Sequence, residues 1–334
     1  MALLFLASCS NASPSNPTDA AAPDVAADAT SPDGSSSTDA AGSDGDSAGD
    51  AALTGVFVAV GYGGRRLRSL DDGMTWVDDQ QLEASGGDDE ENLRVVVWGD
   101  NHFVALGWRV MTSPDGMTWD DLGTTPLGNW IGGATYANSE FVGVGGYGLR
   151  DISTNAMSWT SESIDTVATH AYDGVVWGNV SSGMFVSAND SGARSYSPDG
   201  TKWKYSTSLT GTLSTHLAFG AGVFVGIGGS AVVTSADGIS WVAATTLSAA
   251  PGNVIFAAGH FTAVADGHVY TSNDGMTWAD NVSSTANAGQ IAYGDGTYVW
   301  VNGISPRRST DGIHWVVVTE TGTNSLNSVT FGTP

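Results

Sequence analysis

The sequence predicts an all-β fold, a seven-bladed β-propeller of four-stranded antiparallel blades, and three observations lead to it. A short motif that ends in tryptophan recurs seven times, at intervals of 37 to 44 residues. An alternating apolar segment precedes each copy, and the two ends of the repeated region each carry the part of a unit that the other lacks. A small supersecondary unit that repeats at about 40 residues is typical of a propeller blade.

The composition of the 334-residue chain favours short strands joined by tight turns. It contains 45 glycines and 12 tryptophans, and only 14% of its residues are charged. Helical proteins are usually richer in Glu, Lys and Arg. A hydrophobic content of 41% is enough for a substantial core.

The tryptophan motif predicts the turn between the third and fourth strands of each blade. Stretch 111–119 reads MTSPDGMTW, and 270–278 reads YTSNDGMTW. Glycine accepts positive φ in tight turns, and an Asp side chain can bond local N–H groups. The tryptophan can bury about 200 Å² against the adjoining blade, so we expect a structural role for these sites. In chain order, the seven Asp or Asn and Trp pairs are Asp72 and Trp76, Asp115 and Trp119, Asn155 and Trp159, Asp199 and Trp203, Asp237 and Trp241, Asp274 and Trp278, and Asp311 and Trp315.

Two further landmarks predict the first and second strands. Segments such as FVAVG at 57 and FVALG at 103 alternate large and small apolar residues and stop at Gly, as a buried strand entering a turn does. An aromatic residue, usually followed by Gly, lies five residues before most of them, as Trp98 does. Each unit is therefore predicted to contain strands A, B, C and D.

The ends of the repeated region predict how the ring closes. The first unit begins at GVFVAVG without a strand A, and the chain finishes with LNSVTFGTP, which resembles a strand A without a strand B. Together the two fragments make one blade, so residues 53–334 are predicted to form a closed ring. Closure removes the sheet edges that an open array would expose.

The stretch SLDDGMTW at 69–76 resembles the Asp-box of sialidases and related propellers. The resemblance implies a propeller architecture and a structural role for the turn, and it transfers no activity. Sialidase chemistry also needs an arginine triad, a Tyr-Glu nucleophile pair and an acid/base Asp, and the Phe/Tyr-Arg-Ile-Pro motif of that family is absent. A glycoside hydrolase acting on acidic glycans stays open as an alternative.

The N-terminal region predicts export and anchoring. Leu6 to Cys9 resembles the lipobox of bacterial lipoproteins, which implies that residues 1–9 are a signal peptide remnant and that Cys9 is lipidated. Residues 10–52 contain no aromatic residue and are predicted to be a disordered tether. The protein is therefore expected to be exported and lipid-anchored to a bacterial membrane, at the outer membrane or cell surface.

The net charge of -24 disfavours contact with nucleic acid. The arginines suggest a candidate ligand site, because eight of nine lie between strand B and the end of strand C. They could form a cationic ring on one face, since guanidinium groups suit carboxylate, sulfate or phosphate. The alternative is local pairing with Asp and Glu. The candidate ligand-binding residues are Arg65, Arg66, Arg109, Arg150, Arg194, Arg307 and His268, with the aromatic residues Tyr62 and Trp108 beside them.

The predicted function is a monomeric, non-catalytic binding or interaction module for an acidic glycan or a protein partner. No catalytic residue, metal site or cofactor is predicted, because the histidines show no metal-type spacing and the nucleophile and phosphate-binding motifs are absent. A second alternative is an assembly factor for a membrane complex. The chain resembles the photosystem II assembly factor propellers in blade number and in its Asp-box-like turns.

Overall fold

The computed structural model describes residues 55–84, 87, 89–163, 171–206, 215–283 and 288–334. Within these ranges the chain forms seven four-stranded antiparallel sheets and two short 3₁₀ turns, at Tyr62–Gly64 and Gly146–Gly148. The predicted lipidation site Cys9 and the predicted tether at 10–52 lie outside the described residues. In the described part of the chain, no helix is long and apolar enough to cross a membrane.

The four strands of each blade are hydrogen-bonded in the order A, B, C, D. For blades 1 to 7, the A strands are β28 (Leu326–Gly332), β4 (Leu93–Gly99), β8 (Ile131–Ala137), β12 (Tyr172–Gly178), β16 (His216–Gly220), β20 (Asn253–Ala257) and β24 (Gln290–Gly294). The B strands are β1 (Val56–Gly61), β5 (His102–Gly107), β9 (Glu140–Gly145), β13 (Met184–Asn189), β17 (Val223–Gly228), β21 (His260–Ala265) and β25 (Thr297–Val301).

The outer half of each blade is formed by strands C and D. The C strands are β2 (Arg66–Ser69), β6 (Arg109–Ser113), β10 (Leu149–Ser153), β14 (Arg194–Ser197), β18 (Ala231–Ser235), β22 (His268–Ser272) and β26 (Arg307–Ser309). The D strands are β3 (Val77–Gln80), β7 (Asp120–Thr124), β11 (Thr160–Ser163), β15 (Lys204–Tyr205), β19 (Val242–Thr246), β23 (Ala279–Val282) and β27 (Val316–Val317).

The prediction of a seven-bladed propeller closed by its C-terminal strand is confirmed. Strand β28 pairs antiparallel with β1, with Val56 opposite Gly332 and Phe57 opposite Phe331. Each A strand contacts the A strands of both neighbouring blades, including β28 with β4 and β24 with β28. The ring is therefore continuous, and the A strands surround its axis.

The core fills the seams between blades. Strand B is almost wholly buried in every blade, because both of its faces pack against neighbouring sheets. The repeat tryptophans join the apolar clusters of the preceding blade: Trp119 packs with Val58 and its neighbours, and Trp76 packs with Val299. Burial of one indole at each seam is worth up to roughly 5 kcal/mol before entropy is considered.

The turns between strands C and D share one hydrogen-bond pattern. In blade 2, Ser113 Oγ donates to Asp115 Oδ1 at 3.1 Å, and that oxygen accepts the N–H groups of Met117 and Thr118 at 2.8 Å. Gly116 adopts φ +74°, as the turn requires. Asn155, Asp199, Asp237, Asp274 and Asp311 accept the equivalent N–H groups in blades 3 to 7.

Blade 1 departs from this pattern, and the prediction that Asp72 is its equivalent was wrong. Asp71 accepts Ser69 Oγ–H at 2.9 Å and the Thr75 N–H at 2.8 Å. Asp72 instead adopts φ +58°, and its carbonyl accepts a hydrogen bond from Arg308 at 3.1 Å. The reason is an extra residue in this turn, which moves the capping carboxylate one position further from Trp76.

The glycine that ends most A strands gives room to the next blade. A Cβ on Gly99 would lie 2.0 Å from Tyr136 Cγ, and one on Gly220 would lie 1.9 Å from Phe256 Cγ. The aromatic residue of each A strand therefore sits directly on the preceding blade. It also packs on the strand B aromatic of its own blade, as Trp98 does on Phe103 with ring centroids 4.4 Å apart.

Candidate functional site

The two faces of the ring differ. The A-to-B and C-to-D turns lie on one face, which we name the turn face; the B-to-C turns and D-to-A connections lie on the other, which we name the mouth face. A cavity of about 420 Å³ opens on the mouth face at the centre of the ring, between blades 5, 6, 7 and 1. Its wall includes Tyr62, His216, Pro251, Gln290, Asn302 and Asn327. We name it the mouth cavity.

Bulges in the A strands shape the entrance. Pairing with strand B skips one residue in blades 1 to 4, and the skipped residues are Asn327, Arg94, Gly132 and Asp173. Each lies four residues before the aromatic residue that ends strand A. A bulge leaves one residue outside the ladder and re-aims its side chain, which is why bulges are common beside binding sites.

His216 is a buried residue in the wall of the mouth cavity. Only 4% of it is exposed, and its Nδ1 has no hydrogen-bond partner within the described residues. Burial lowers the pKa of the imidazole to about 4, because the buried ring loses the hydration that favours its charged form. The ring is therefore neutral at physiological pH and presents one donor and one acceptor nitrogen.

Amide side chains link the blades around the cavity. Asn253 Nδ2 donates to Gln290 Oε1 at 2.9 Å across the seam between blades 6 and 7. Asn327 Nδ2 donates to Asn92 Oδ1 at 2.7 Å and to the carbonyl of Leu93 at 2.9 Å across the seam between blades 1 and 2. These bonds fix the inner strands and leave neutral polar groups at the wall.

The wall of the mouth cavity carries no Asp, Glu, Lys or Arg side chain among the described residues that form it. Several glycines bring backbone close to the cavity: a Cβ on Gly252 would lie 2.5 Å from the nitrogen of Gly289. Neutral amides, hydroxyls and backbone groups therefore dominate its polar chemistry. The wall suits an uncharged ligand that can both donate and accept hydrogen bonds.

Charged residues lie on the blade 2 to 4 side of the entrance. Burial and the nearby Asp190 raise the pKa of Asp173 to about 8, although the charge of Arg94 opposes this. The Arg94 guanidinium stacks over the Trp130 ring at 4.7 Å and lies 3.5 Å from Asp89. Asp173 is consequently protonated at neutral pH, so the entrance carries less negative charge than its residues suggest.

The structure does not bring the predicted arginines together as a ring. Three of them lie in seams, each with its guanidinium over the repeat tryptophan of the next blade. Their distances to the ring centroids are 5.9 Å for Arg66 over Trp119, 4.7 Å for Arg150 over Trp203 and 4.8 Å for Arg194 over Trp241. Burial lowers the pKa of Arg194 to about 10.

The common position of these three arginines explains the contact. Each lies three residues before the serine that begins the C-to-D turn, so each points from strand C into the same seam. Arg150 is 1% exposed and also donates to Ser187 Oγ at 3.0 Å and Ser195 Oγ at 3.1 Å. Such stacks are worth about 2 kcal/mol or more when desolvated.

The remaining candidates are mostly paired locally. Arg65 is buried and forms an ion pair with Asp79 at 3.0 Å, and Arg109 forms one with Asp121 at 2.5 Å. His268 Nδ1 lies 2.8 Å from Asp280.

Two further candidates form no ion pair among the described residues. The Arg307 guanidinium lies 4.1 Å from the centre of the Trp300 ring in its own blade, and the indole nitrogen of Trp108 is buried without a hydrogen bond among the described residues. Of the nine candidates, only Tyr62 lines the mouth cavity.

Sequence reasoning missed the residues that do line it. The signal was the column three residues before the strand A aromatic, which holds His216, Asn253, Gln290 and Ser328 in four blades. His216 and Gln290 of this column line the cavity. The same column holds Val95, Gly133 and Gly174 in blades 2 to 4. Arg94, the one arginine outside the pattern, is the residue skipped at the strand A bulge of blade 2.

Comparison with known proteins agrees with the fold. A scan against protein-family models and a search of curated proteins found no match. Among solved structures, YCF48 bound to a D1 peptide matches with a TM-score of 0.51 and 17% identity over 66% of this chain and 78% of that one. Virginiamycin B lyase from Staphylococcus aureus matches with a TM-score of 0.60 and 9% identity over 69% and 84%. These similarities concern the fold alone.

Proposed function

We propose that the propeller is a non-catalytic interaction module that binds an extended segment of a partner protein at the mouth cavity. The observation that carries this proposal is the wall of the cavity, which offers neutral amide and backbone groups from four blades and no charged side chain among the described residues that form it. A peptide main chain carries one donor and one acceptor per residue, so it matches such a wall.

A protein segment fits this wall better than an acidic glycan does. The arginines that would recognise an acidic sugar are stacked in seams or paired with carboxylates. Sugar sites also use aromatic platforms, and Tyr62 is the one aromatic residue among the described residues of the wall. The peptide carried by YCF48 in its solved structure adds support, because a chain of similar fold there holds a ligand of this kind.

We also propose that the module is exported and held at a bacterial membrane by lipidation of Cys9, with residues 10–52 as the tether. The described chain begins at residue 55, and the neighbouring Val56 pairs with Gly332 at the turn-face end of blade 1. The first described residues of blade 1 therefore lie on the face opposite the mouth cavity.

The test is capture of random linear peptides on an array by the wild-type chain and two variants. Ala250→Trp places an indole in the cavity wall, and we expect it to weaken binding of captured peptides by at least about tenfold. Met276→Trp is the matched control, because Met276 is 52% exposed on the turn face of blade 6, and we expect unchanged binding.

Two results would contradict the proposal. Equal peptide binding by Ala250→Trp and wild type would place the site elsewhere. Capture of glycans but not peptides on a parallel glycan array, with loss in Ala250→Trp, would assign the cavity to a sugar ligand. Thermal melts of both variants establish that each remains folded.

A further inference from the structure

The neutral residues of the A strands differ in how far their hydrogen bonds are satisfied. Three residues before the strand A aromatic, Asn253 bonds to Gln290 across a seam, and Ser328 Oγ accepts the Val96 N–H at 3.1 Å. His216 occupies the same column in blade 5. Its Nδ1 is buried without a partner among the described residues, so it is the exception in this column.

Burying the imidazole nitrogen of His216 without a hydrogen bond lowers the stability of the folded protein, and packing of the strand does not require it. Leaving a buried polar group without a hydrogen bond costs about 1–3 kcal/mol, and most buried side-chain polar atoms are paired. An apolar residue such as the Val95 of blade 2 would fill this column without that cost. Because His216 lines the mouth cavity, a bound ligand can supply a hydrogen bond that the described residues do not.

We propose that His216 is the specificity-determining residue of the mouth cavity, where its imidazole hydrogen-bonds an uncharged amide group of the bound segment. This inference rests on the proposed function and deepens it. A neutral imidazole offers one acceptor and one donor, which match the N–H and C=O of a peptide group. The cavity wall holds no counter-charge among its described residues, so an ion entering it would lose hydration without compensation.

The binding test compares His216→Phe, His216→Gln and wild type on peptides that the wild-type chain captures. Removing the hydrogen bond is expected to weaken binding at least about tenfold in His216→Phe. His216→Gln keeps a donor and an acceptor and is expected to recover most of the loss. His260→Phe is the matched control, since His260 is the first residue of strand B in blade 6, at the turn-face end.

A second measurement does not depend on the variants folding. The ring nitrogens of ¹⁵N-histidine-labelled wild-type protein are followed by NMR while N-methylacetamide, glucose or sodium acetate is added. We expect N-methylacetamide to shift the His216 resonances and acetate to leave them unchanged. Shifts with glucose alone would assign the site to hydroxyl groups of a sugar, and shifts with acetate alone would overturn the choice of an uncharged ligand.

The two proposals fail in different ways. If Ala250→Trp abolishes peptide binding but His216→Phe does not, the mouth cavity binds peptides without His216, and only the inference about His216 is overturned. If neither variant affects binding, the site lies outside the mouth cavity and both proposals fail.

Discussion

The turn face and the mouth face of this propeller follow different rules. On the turn face, the same serine and carboxylate or amide pattern closes the C-to-D turn in every blade, with one shift of register in blade 1. On the mouth face, the residues at matching positions differ from blade to blade, as His216, Asn253 and Gln290 do. Repetition marks what holds the blades together, and variation marks where the molecule can recognise something else.

The physical reason is that each turn must fit the preceding blade. A Cβ on Gly116 would lie 2.6 Å from Val58, and one on Gly275 would lie 2.5 Å from Val225. The turn of one blade therefore rests on strand B of the blade before it, and any change there disturbs a seam. A side chain in the wall of the mouth cavity borders open space on one side, so its identity is less constrained than that of a turn residue.

The largest expected difference in stability is between substitution of an arginine in a seam and substitution of an arginine on the mouth face. Arg150→Ala removes a guanidinium from between the Tyr172 and Trp203 rings together with its hydrogen bonds to two serine hydroxyls, so we expect a loss of about 2–4 kcal/mol in the free energy of unfolding. Arg109→Ala breaks a partly exposed ion pair and should cost less than about 1 kcal/mol. Urea denaturation measures both, and similar losses would contradict the distinction.

A smaller effect tests the register shift on the turn face. Asp71→Ala removes the acceptor for the Thr75 N–H and the Thr75 and Ser69 hydroxyls, and we expect a loss of about 1–2 kcal/mol. Asp72→Ala leaves those bonds intact and should lose less, with the strain of positive φ as its main cost. Thermal melts of the two variants rank the two losses. A larger loss in Asp72→Ala would indicate that Asp72, four residues before Trp76 as in the other blades, is the residue that caps the turn.

The smallest effect concerns the pH dependence of the mouth entrance. The pKa of Asp173 is raised to about 8, so the folded protein keeps a proton that the unfolded chain loses above its usual pKa near 4. Stability from this group therefore falls as pH rises from about 4 to 8. Relative to wild type, Asp173→Asn should gain at least about 2 °C in melting temperature between pH 5 and pH 8.

Exposed Asp295 supplies the control for this measurement, because Asp295→Asn removes an equal charge at a solvated turn. We expect its difference from wild type to stay constant between pH 5 and pH 8. A parallel change in both variants would attribute the effect to net charge rather than to the burial of Asp173.

The fold was predictable because its signals are local. Strand alternation, the Asp-Gly turn and the terminal aromatic each act within a few residues, so blade number and closure follow from the repeat itself. The contacts of the seam arginines depend on a tryptophan about 50 residues further along the chain. Sequence order shows Arg66 and Trp119 in successive units, but only the angle between blades places one over the other at 5.9 Å.

The mouth cavity was less predictable from the sequence than the blade repeat and more predictable than the arginine contacts. Its polar column could be seen in the repeat alignment, since His216 and Gln290 stand where an apolar strand residue is expected. The bulges at Arg94 and Asp173 could not, because a bulge is a property of pairing and leaves the letters of one strand unchanged. The shape of the mouth cavity therefore could not be predicted without the three-dimensional structure.

The pairing of β1 with β28 also governs the order in which the molecule can assemble. Val56 pairs with Gly332, so during synthesis the first strand leaves the ribosome long before its partner strand has been made. Blades 2 to 7 are each built from contiguous chain and can collapse as they emerge, whereas blade 1 requires the longest loop closure in the protein. Formation of the blade 1 sheet closes the open array of blades into a ring, in which every blade packs against two others.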